Sequence, residues 1–152
     1  MLYVRLNMFS SNKNLSRSGK FLAWFSLING SLTIATPILL NFVFKQPLPS
    51  FIAITFFVLG VIGVIAGYYG LGAKVWAFWL LFALFLVQIA EHFSPGFFFS
   101  FIGPLSLKFG WGSVSPPSRT NINLLALIVC FFSYINARSL THHSSGTPSG
   151  AP

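Results

Sequence analysis

The side chains that could do chemistry lie together near the end of one apolar stretch. Glu91 is the single acidic residue of the chain, His92 follows it, and Gln88 precedes it by about one helical turn. A carboxylate beside an imidazole could bind a proton, a cation or a ligand, and an ionisable residue inside a membrane is a functional candidate by default. The competing interpretation is structural, because near the membrane surface the carboxylate could form an ion pair.

Three cations are candidates for that ion pair, since the topology predicted below puts Lys45, Lys108 and Arg119 at the same level as Glu91. The C-terminal end of a helix carries partial negative charge, so a carboxylate there needs compensation. We expect Arg119 to be the partner, because it directly precedes the last predicted helix. The predicted site therefore comprises Gln88, Glu91, His92 and Arg119, with either a structural or a proton- or ligand-binding role.

Other catalytic or metal-binding arrangements are hard to build from this chain. One carboxylate cannot supply paired carboxylates, a carboxylate-based metal site or a phosphotransferase centre. Cys130 stands alone in an apolar run, and His142 and His143 lie in the tail with no further ligand nearby. We therefore predict no catalytic residue, no metal and no cofactor.

The composition places the protein in the membrane. Hydrophobic residues make up 55% of the 152 residues and charged residues 7%, with nine Lys and Arg and a net charge of +8. A soluble domain carries roughly 25% charged residues, which excludes that class. The cations are spread over chain ends and short connections, where they can contact lipid headgroups. The expected partners are membrane lipids and another membrane protein or a homo-oligomer, and not nucleic acid.

The apolar stretches predict an all-α integral membrane protein with a four-helix transmembrane bundle. The predicted helices are about 21–44, 51–69, 75–93 and 122–137 within a membrane domain of 21–138. They follow a basic cytoplasmic segment, 1–20, and precede a disordered cytoplasmic tail, 139–152. The first stretch is too long for a cleaved signal peptide, and a mitochondrial presequence is the alternative. Either Met1 or Met8 could be the true start.

The long connection between the third and fourth helices is not uniformly polar. Within residues 94–120, the aromatic segment Phe97 to Ile102 is too short to span a bilayer. We expect this one long outer loop to contain an interfacial or re-entrant aromatic segment, followed by Pro116 and Pro117 as a stiff approach to the last helix.

The distribution of cations and aromatic residues predicts both termini on the cytoplasmic side. With that orientation the cytoplasmic side holds six cations, Arg5, Lys13, Arg17, Lys20, Lys74 and Arg138, against three on the other side. An aromatic belt falls at the same end of the helices: Trp24, Tyr68, Tyr69, Trp76, Trp79 and Tyr134. We expect a multi-pass protein of a bacterial inner (plasma) membrane.

A stripe of small residues predicts close packing of the first two helices. The second helix carries its glycines three and four residues apart, at Gly60, Gly63, Gly67 and Gly70. The first helix offers a matching line of small and polar residues, Ser26, Asn29, Gly30 and Thr33. Intramolecular packing is the favoured interpretation, and a homodimer seam is the alternative.

Three functional hypotheses remain. The first is a small non-enzymatic membrane protein that acts by binding other membrane components, as an accessory, assembly or immunity-type protein. The second is a small oligomeric transporter or channel component that uses a polar site around Glu91, together with Asn29 and Thr33. The third is an enzyme that uses His92 with Glu91.

Overall fold

The computed structural model describes residues 15–46, 48–99 and 104–145, which form four helices and one small antiparallel sheet. Helix α1 spans Arg17–Phe42, α2 spans Ser50–Leu71, α3 spans Val75–Leu86 and α4 spans Leu124–Ser145. Between α3 and α4 lie four strands, β1 Ala90–Ser94, β2 Phe97–Phe99, β3 Lys108–Val114 and β4 Pro117–Asn123. The chain is therefore mostly helical.

Three of the described helices are long and apolar enough to cross a membrane, namely Arg17–Phe42, Ser50–Leu71 and Leu124–His142. This supports an integral membrane protein. Helix α3 has 12 residues, which gives a length of about 18 Å, less than the hydrocarbon core of a bilayer. The four-helix transmembrane bundle predicted from the sequence is therefore not confirmed.

The third helix was predicted to continue to Phe93, and it ends at Leu86. After Leu86 the hydrogen bonds become those of a 3₁₀ turn, in which each N–H donates to the carbonyl three residues earlier. Gln88 N–H donates to Phe85 O, and Ile89 N–H donates to Leu86 O. From Ala90 onward the backbone pairs with β4 instead of with the preceding helical turn. This pairing satisfies the backbone groups that a longer helix would have satisfied within itself.

The sheet has the strand order β2-β1-β4-β3, and every neighbouring pair is antiparallel. Two of its strand pairs are hairpins with two-residue connections. Pro95-Gly96 joins β1 to β2, and its proline followed by Gly96 at φ +88° is the signature of a type II turn. Ser115-Pro116 joins β3 to β4. The predicted interfacial or re-entrant segment thus forms strand β2 in its first part, and residues 100–103 lie outside the described residues.

The helix ends also differ from the predicted boundaries. Ser16 caps α1, because its side chain accepts a hydrogen bond from Gly19 N–H at 2.9 Å. At the other end of the chain α4 continues to Ser145, so residues 139–145 are helical and not a disordered tail. The extension is supported by Thr141, whose hydroxyl donates to Ala137 O at 2.9 Å. Residues 1–14 and 146–152 lie outside the described part of the chain, including most of the predicted basic segment.

Helix α3 occupies the centre of the helical layer. Its Phe78, Leu81 and Phe85 are among the largest fully buried side chains of the described chain. Around them pack small and aliphatic residues of the other helices: Leu22, Ala66, Ala126 and Val129. A short, strongly apolar helix thus connects the α1–α2 pair to α4 and holds β1 and β4 at one end of the bundle, which we call the sheet end.

Candidate functional site

Two of the residues predicted to form the site, Glu91 and Arg119, belong to one polar network on the sheet, in an arrangement that differs from the predicted one. Lys108 Nζ lies 3.3 Å from Glu91 Oε1 and 3.4 Å from Oε2, which forms an ion pair between β3 and β1. Asn121 on the intervening strand β4 donates to Glu91 Oε1. Arg119 Nε donates to Asn121 Oδ1 at 3.0 Å. Glu91 thus forms a salt bridge with Lys108, and Arg119 couples to the carboxylate through Asn121.

The choice of Arg119 as the direct partner was wrong because of the register of the sheet. Glu91 lies opposite Asn121, and Arg119 lies opposite Phe93, two residue pairs further along. Lys108 enters from the strand on the other side of β4, and its long stem allows its ammonium group to reach the carboxylate. The sequence predicts Lys108 and Arg119 at the same depth in the membrane, so predicted depth does not show which of them pairs with Glu91.

Glu91 and His92 do not form a shared site, because they belong to a strand. Successive side chains of a strand point to opposite faces, whereas the predicted helix would have left them adjacent. His92 Nδ1 instead lies 2.9 Å from Thr120 Oγ1, and its ring packs near Phe97. Gln88 precedes the strand and is buried, and its Oε1 has no hydrogen-bond partner among the described residues. Of the four predicted site residues, Glu91 and Arg119 therefore share one face of the sheet, His92 lies on the other face, and Gln88 precedes the sheet.

The register gives the sheet two chemically different faces. Cross-strand partners share a face, so Glu91 and Asn121 lie on one face with Arg119 and Lys108; we call this the polar face. The opposite face carries Phe97, Phe99, Phe109 and Trp111, and we call it the aromatic face. Phe109 and Trp111 are both more than half exposed, and their rings contact one another.

Strand β3 is an edge strand, and its outward backbone groups can be identified. Leu124 N–H donates to Leu107 O, and Asn123 N–H donates to Ile89 O on the opposite side. Because backbone groups alternate along an antiparallel ladder, residues 109, 111 and 113 direct theirs to β4. The N–H and C=O groups of residues 108, 110, 112 and 114 therefore point away from the sheet. No described strand pairs with that side of β3.

Two glycines of β3 shape the polar face. An added Cβ at Gly110 would overlap Asn121 Oδ1, and one at Gly112 would overlap Ser118 O. The missing side chains leave an open groove of about 390 Å³, which is lined by Phe93, Arg119, Pro117, Ser118 and residues 110–114. Phe93 and Arg119 belong to the polar face, so the groove lies on that face.

The residues predicted to pack α1 against α2 are brought together. Ser26 Oγ donates to Gly63 O at 2.8 Å across the two helices. A Cβ at Gly30 would lie 2.7 Å from Val64 N and 2.8 Å from Gly60 O. Gly67 and Gly70 face Ala23 in the same way, and Asn29 and Thr33 are buried in the same helix α1. Thr33 donates to Asn29 O at 2.7 Å, so its hydroxyl is satisfied within α1.

The sequence contained a signal for the sheet that the apolar stretches hid. In the segment from Lys108 to Val114, the aromatic residues Phe109 and Trp111 alternate with small residues. This period of two is typical of a strand. The turn at Pro95-Gly96 lies just after another candidate strand. Lys108 and Asn121 are the residues of the polar network that were not included in the predicted site.

Searches against protein-family models, curated proteins and solved structures found no match to this chain. Within the described residues no group of three or more His, Cys, Asp or Glu side chains could hold a metal ion. The functional assignment therefore rests on the geometry of the sheet and the helices.

Proposed function

We propose that this is a small, non-enzymatic, four-pass membrane protein that binds another membrane protein through the free edge of β3 and the aromatic face. Such a protein would serve as an accessory or assembly component. Its proposed location is a bacterial inner membrane with both termini cytoplasmic and the sheet on the opposite side. The excess of cations at the termini supports this orientation.

Two distances support a fourth crossing in which the sheet completes what α3 begins. The contour length from Arg138 to Leu124 along α4 is about 21 Å, and β4 adds about 16 Å from Leu124 to Arg119, roughly 37 Å in all. Helix α1 gives a similar value, because Lys20 and Phe42 are about 33 Å apart. A hydrocarbon core of about 30 Å would fit between Arg138 and Arg119, with the base of the sheet inside it.

The observation that carries the proposal is the open edge of β3 at this depth. Lys108 pairs with Asn123 at the base of the sheet, directly before α4 begins. By contour from Arg138, that level is about 24 Å along a path of roughly 37 Å, whose central 30 Å would lie in the hydrocarbon core. Lipid tails cannot hydrogen-bond to the outward N–H and C=O groups of Lys108 and Gly110, and open sheet edges do not occur in contact with lipid. A strand contributed by a partner would satisfy these groups.

The aromatic face adds apolar area next to the same edge. Phe109 is 64% exposed and Trp111 is 54% exposed. Aromatic side chains are the usual anchors of protein interfaces, so a strand that pairs with β3 could place its own side chains against both rings. The transporter alternative has less support, because Glu91 and His92 lie on opposite faces and do not line one path.

The test is site-specific crosslinking in living cells. A photoreactive amino acid at Val114, which is 94% exposed at the tip of β3, should give one discrete protein adduct. The matched control is Phe51, which is 80% exposed at the sheet end of α2 and should contact only lipid. Trp111→Ser should weaken the adduct from Val114 several-fold. Equal adducts from both positions, or none from Val114, would contradict the proposal, and an adduct of twice the chain mass would indicate self-association instead.

A further inference from the structure

The groove on the polar face contains a cation that is oriented from one side only. Arg119 Nε donates to Asn121 Oδ1, and Asn121 is 5% exposed and donates in turn to Glu91. These two hydrogen bonds in series orient the guanidinium group of Arg119. The two terminal amino groups of Arg119 have no hydrogen-bond acceptor among the described residues. A planar guanidinium held in this way can bind two oxygens of one phosphate group.

The walls of the groove fit a molecule that is charged at one end and apolar at the other. Phe93, Gly112 and Pro117 line the groove beside Arg119. Because Lys108 is paired with Glu91, the charge of Arg119 is not balanced within this network. A ligand with a phosphate and an adjoining hydrocarbon chain would match both the charge and the apolar walls.

In the proposed orientation, the distance along α4 and β4 would bring Arg119 to the level of the lipid phosphates. Arg119 is roughly 37 Å from Arg138 by contour, and a bilayer measures about 40–45 Å including both headgroup regions. In the proposed orientation, the two arginines would therefore fall at the headgroup levels of opposite leaflets. A phospholipid of the leaflet on the sheet side would have its phosphate at the depth of the guanidinium group.

We propose that the groove formed by Phe93, Gly112, Pro117 and Arg119 is a binding site for an anionic phospholipid, with Arg119 binding the phosphate. Asn121 and Glu91 act as positioning residues, because they orient the guanidinium group without reaching the ligand. This site shares strand β3 with the proposed partner edge, but Arg119 and Phe93 lie on the polar face and the site requires no second protein. The lipid site rests on the proposed membrane orientation, but its test uses the purified chain without a partner, so failure of one proposal can be distinguished from failure of the other.

The experiment measures lipid binding to the purified full-length chain in a neutral detergent by native mass spectrometry. The probes are phosphatidylglycerol and, as a lipid without phosphate, diacylglycerol of the same chain length. Wild type should bind phosphatidylglycerol at least tenfold more tightly than diacylglycerol. Arg119→Gln should lose most of that difference, and Arg119→Lys should lose part of it, because an ammonium cannot bind two oxygens in one plane.

The matched control is Arg138→Gln, which removes a cation from the opposite end of α4. Arg138 donates to the Tyr134 hydroxyl at 3.0 Å, so it is also held in place by one neighbour. Its loss should leave the tight phosphatidylglycerol site unchanged. A thermal melt of each variant separates a local effect from unfolding, and Arg119→Lys provides a second variant if Arg119→Gln does not fold.

Three results would overturn the lipid site. One is phosphatidylglycerol binding that Arg119→Gln leaves intact, and another is equal weakening by Arg138→Gln. The third concerns the source of the phosphate: glycerol 3-phosphate that competes at the same concentration as phosphatidylglycerol would indicate a site for a soluble anion. Glu91→Gln should weaken binding less than Arg119→Gln, as expected for a residue that only positions the arginine.

Discussion

The packing of α1 on α2 allows a stability prediction in which two glycines of one stripe behave differently. A Cβ added at Gly67 would lie 2.7 Å from Ala23 O and 2.8 Å from Leu27 N. Both atoms belong to the backbone of α1 and cannot rotate away. A Cβ at Gly63 would have Gly30 Cα as its nearest neighbour at 3.3 Å, and the next atoms would be 3.7 Å away.

The expected magnitudes follow from these distances. Non-bonded carbon contacts are optimal near 3.5–4.0 Å, so Gly67→Ala requires the helices to separate by roughly 0.7 Å or more. Overpacking of this kind costs about 1–3 kcal/mol. Separation would also stretch the hydrogen bond from Ser26 Oγ to Gly63 O, which is 2.8 Å long, and losing it would add about 1 kcal/mol. We expect a total loss of about 2–4 kcal/mol for Gly67→Ala.

Gly63→Ala is the matched control, because the same methyl group meets only small displacements there. The shift needed is a few tenths of an ångström, and alanine favours a helix over glycine by up to about 1 kcal/mol. The two effects oppose one another, so we expect a change within about 1 kcal/mol of zero.

The assay is unfolding of the purified protein from a mild detergent by increasing fractions of dodecyl sulfate, followed by circular dichroism. Gly67→Ala should shift the transition to a lower dodecyl sulfate fraction than Gly63→Ala. If the two variants unfold together, or if Gly67→Ala unfolds like wild type, the close approach of α1 to α2 at Ala23 is refuted.

Three further changes have defined outcomes. Glu91→Gln and Lys108→Gln should each cost at most about 1 kcal/mol, with a double-mutant coupling of similar size, because the pair is part-exposed and the long Lys108 side chain reaches the carboxylate near the proposed membrane surface. A coupling above about 3 kcal/mol would contradict this. Ala73→Gly should stabilise the protein, since Ala73 has φ +54° at the C-terminal end of α2, where a residue other than glycine costs about 1 kcal/mol; a lower melting temperature would show that the methyl contact outweighs the strain. In a background without the native cysteine, Ser113→Cys should react with an impermeant thiol reagent on intact cells and Ser139→Cys should not, and the reverse pattern would invert the orientation.

The apolar helices were predictable from the sequence because length and hydropathy alone define them. Helices α1, α2 and α4 appear as continuous apolar runs, and their observed ends lie within a few residues of the predicted ones, apart from the C-terminal extension of α4. The end of α3 was not predictable in the same way. The run through Leu86 to Phe93 is apolar throughout except for Gln88, Glu91 and His92, and periodicity does not separate a buried helix from a buried strand in such a run.

The arrangement of the polar network depends on a register that the sequence does not encode locally. Glu91 and Asn121 are paired across strands that are far apart in the chain, and a shift by one residue would exchange the two faces of the sheet. That one choice decides whether Lys108 or Arg119 reaches the carboxylate. The strand conformation itself, whatever its register, places His92 on the opposite face from Glu91, which removes the acid and imidazole pair that the sequence suggested.

The central claim is that another membrane protein covers the open edge of β3, and hydrogen–deuterium exchange of residues 108–114 tests it most directly. The chain is compared in native membranes and alone in vesicles of the same lipids. We predict that the amides of residues 109, 111 and 113, which face β4, exchange slowly in both samples. The outward amides of residues 110, 112 and 114 should be protected in native membranes and exchange markedly faster when the chain is alone. Equal exchange of these outward amides in the two samples would contradict the account.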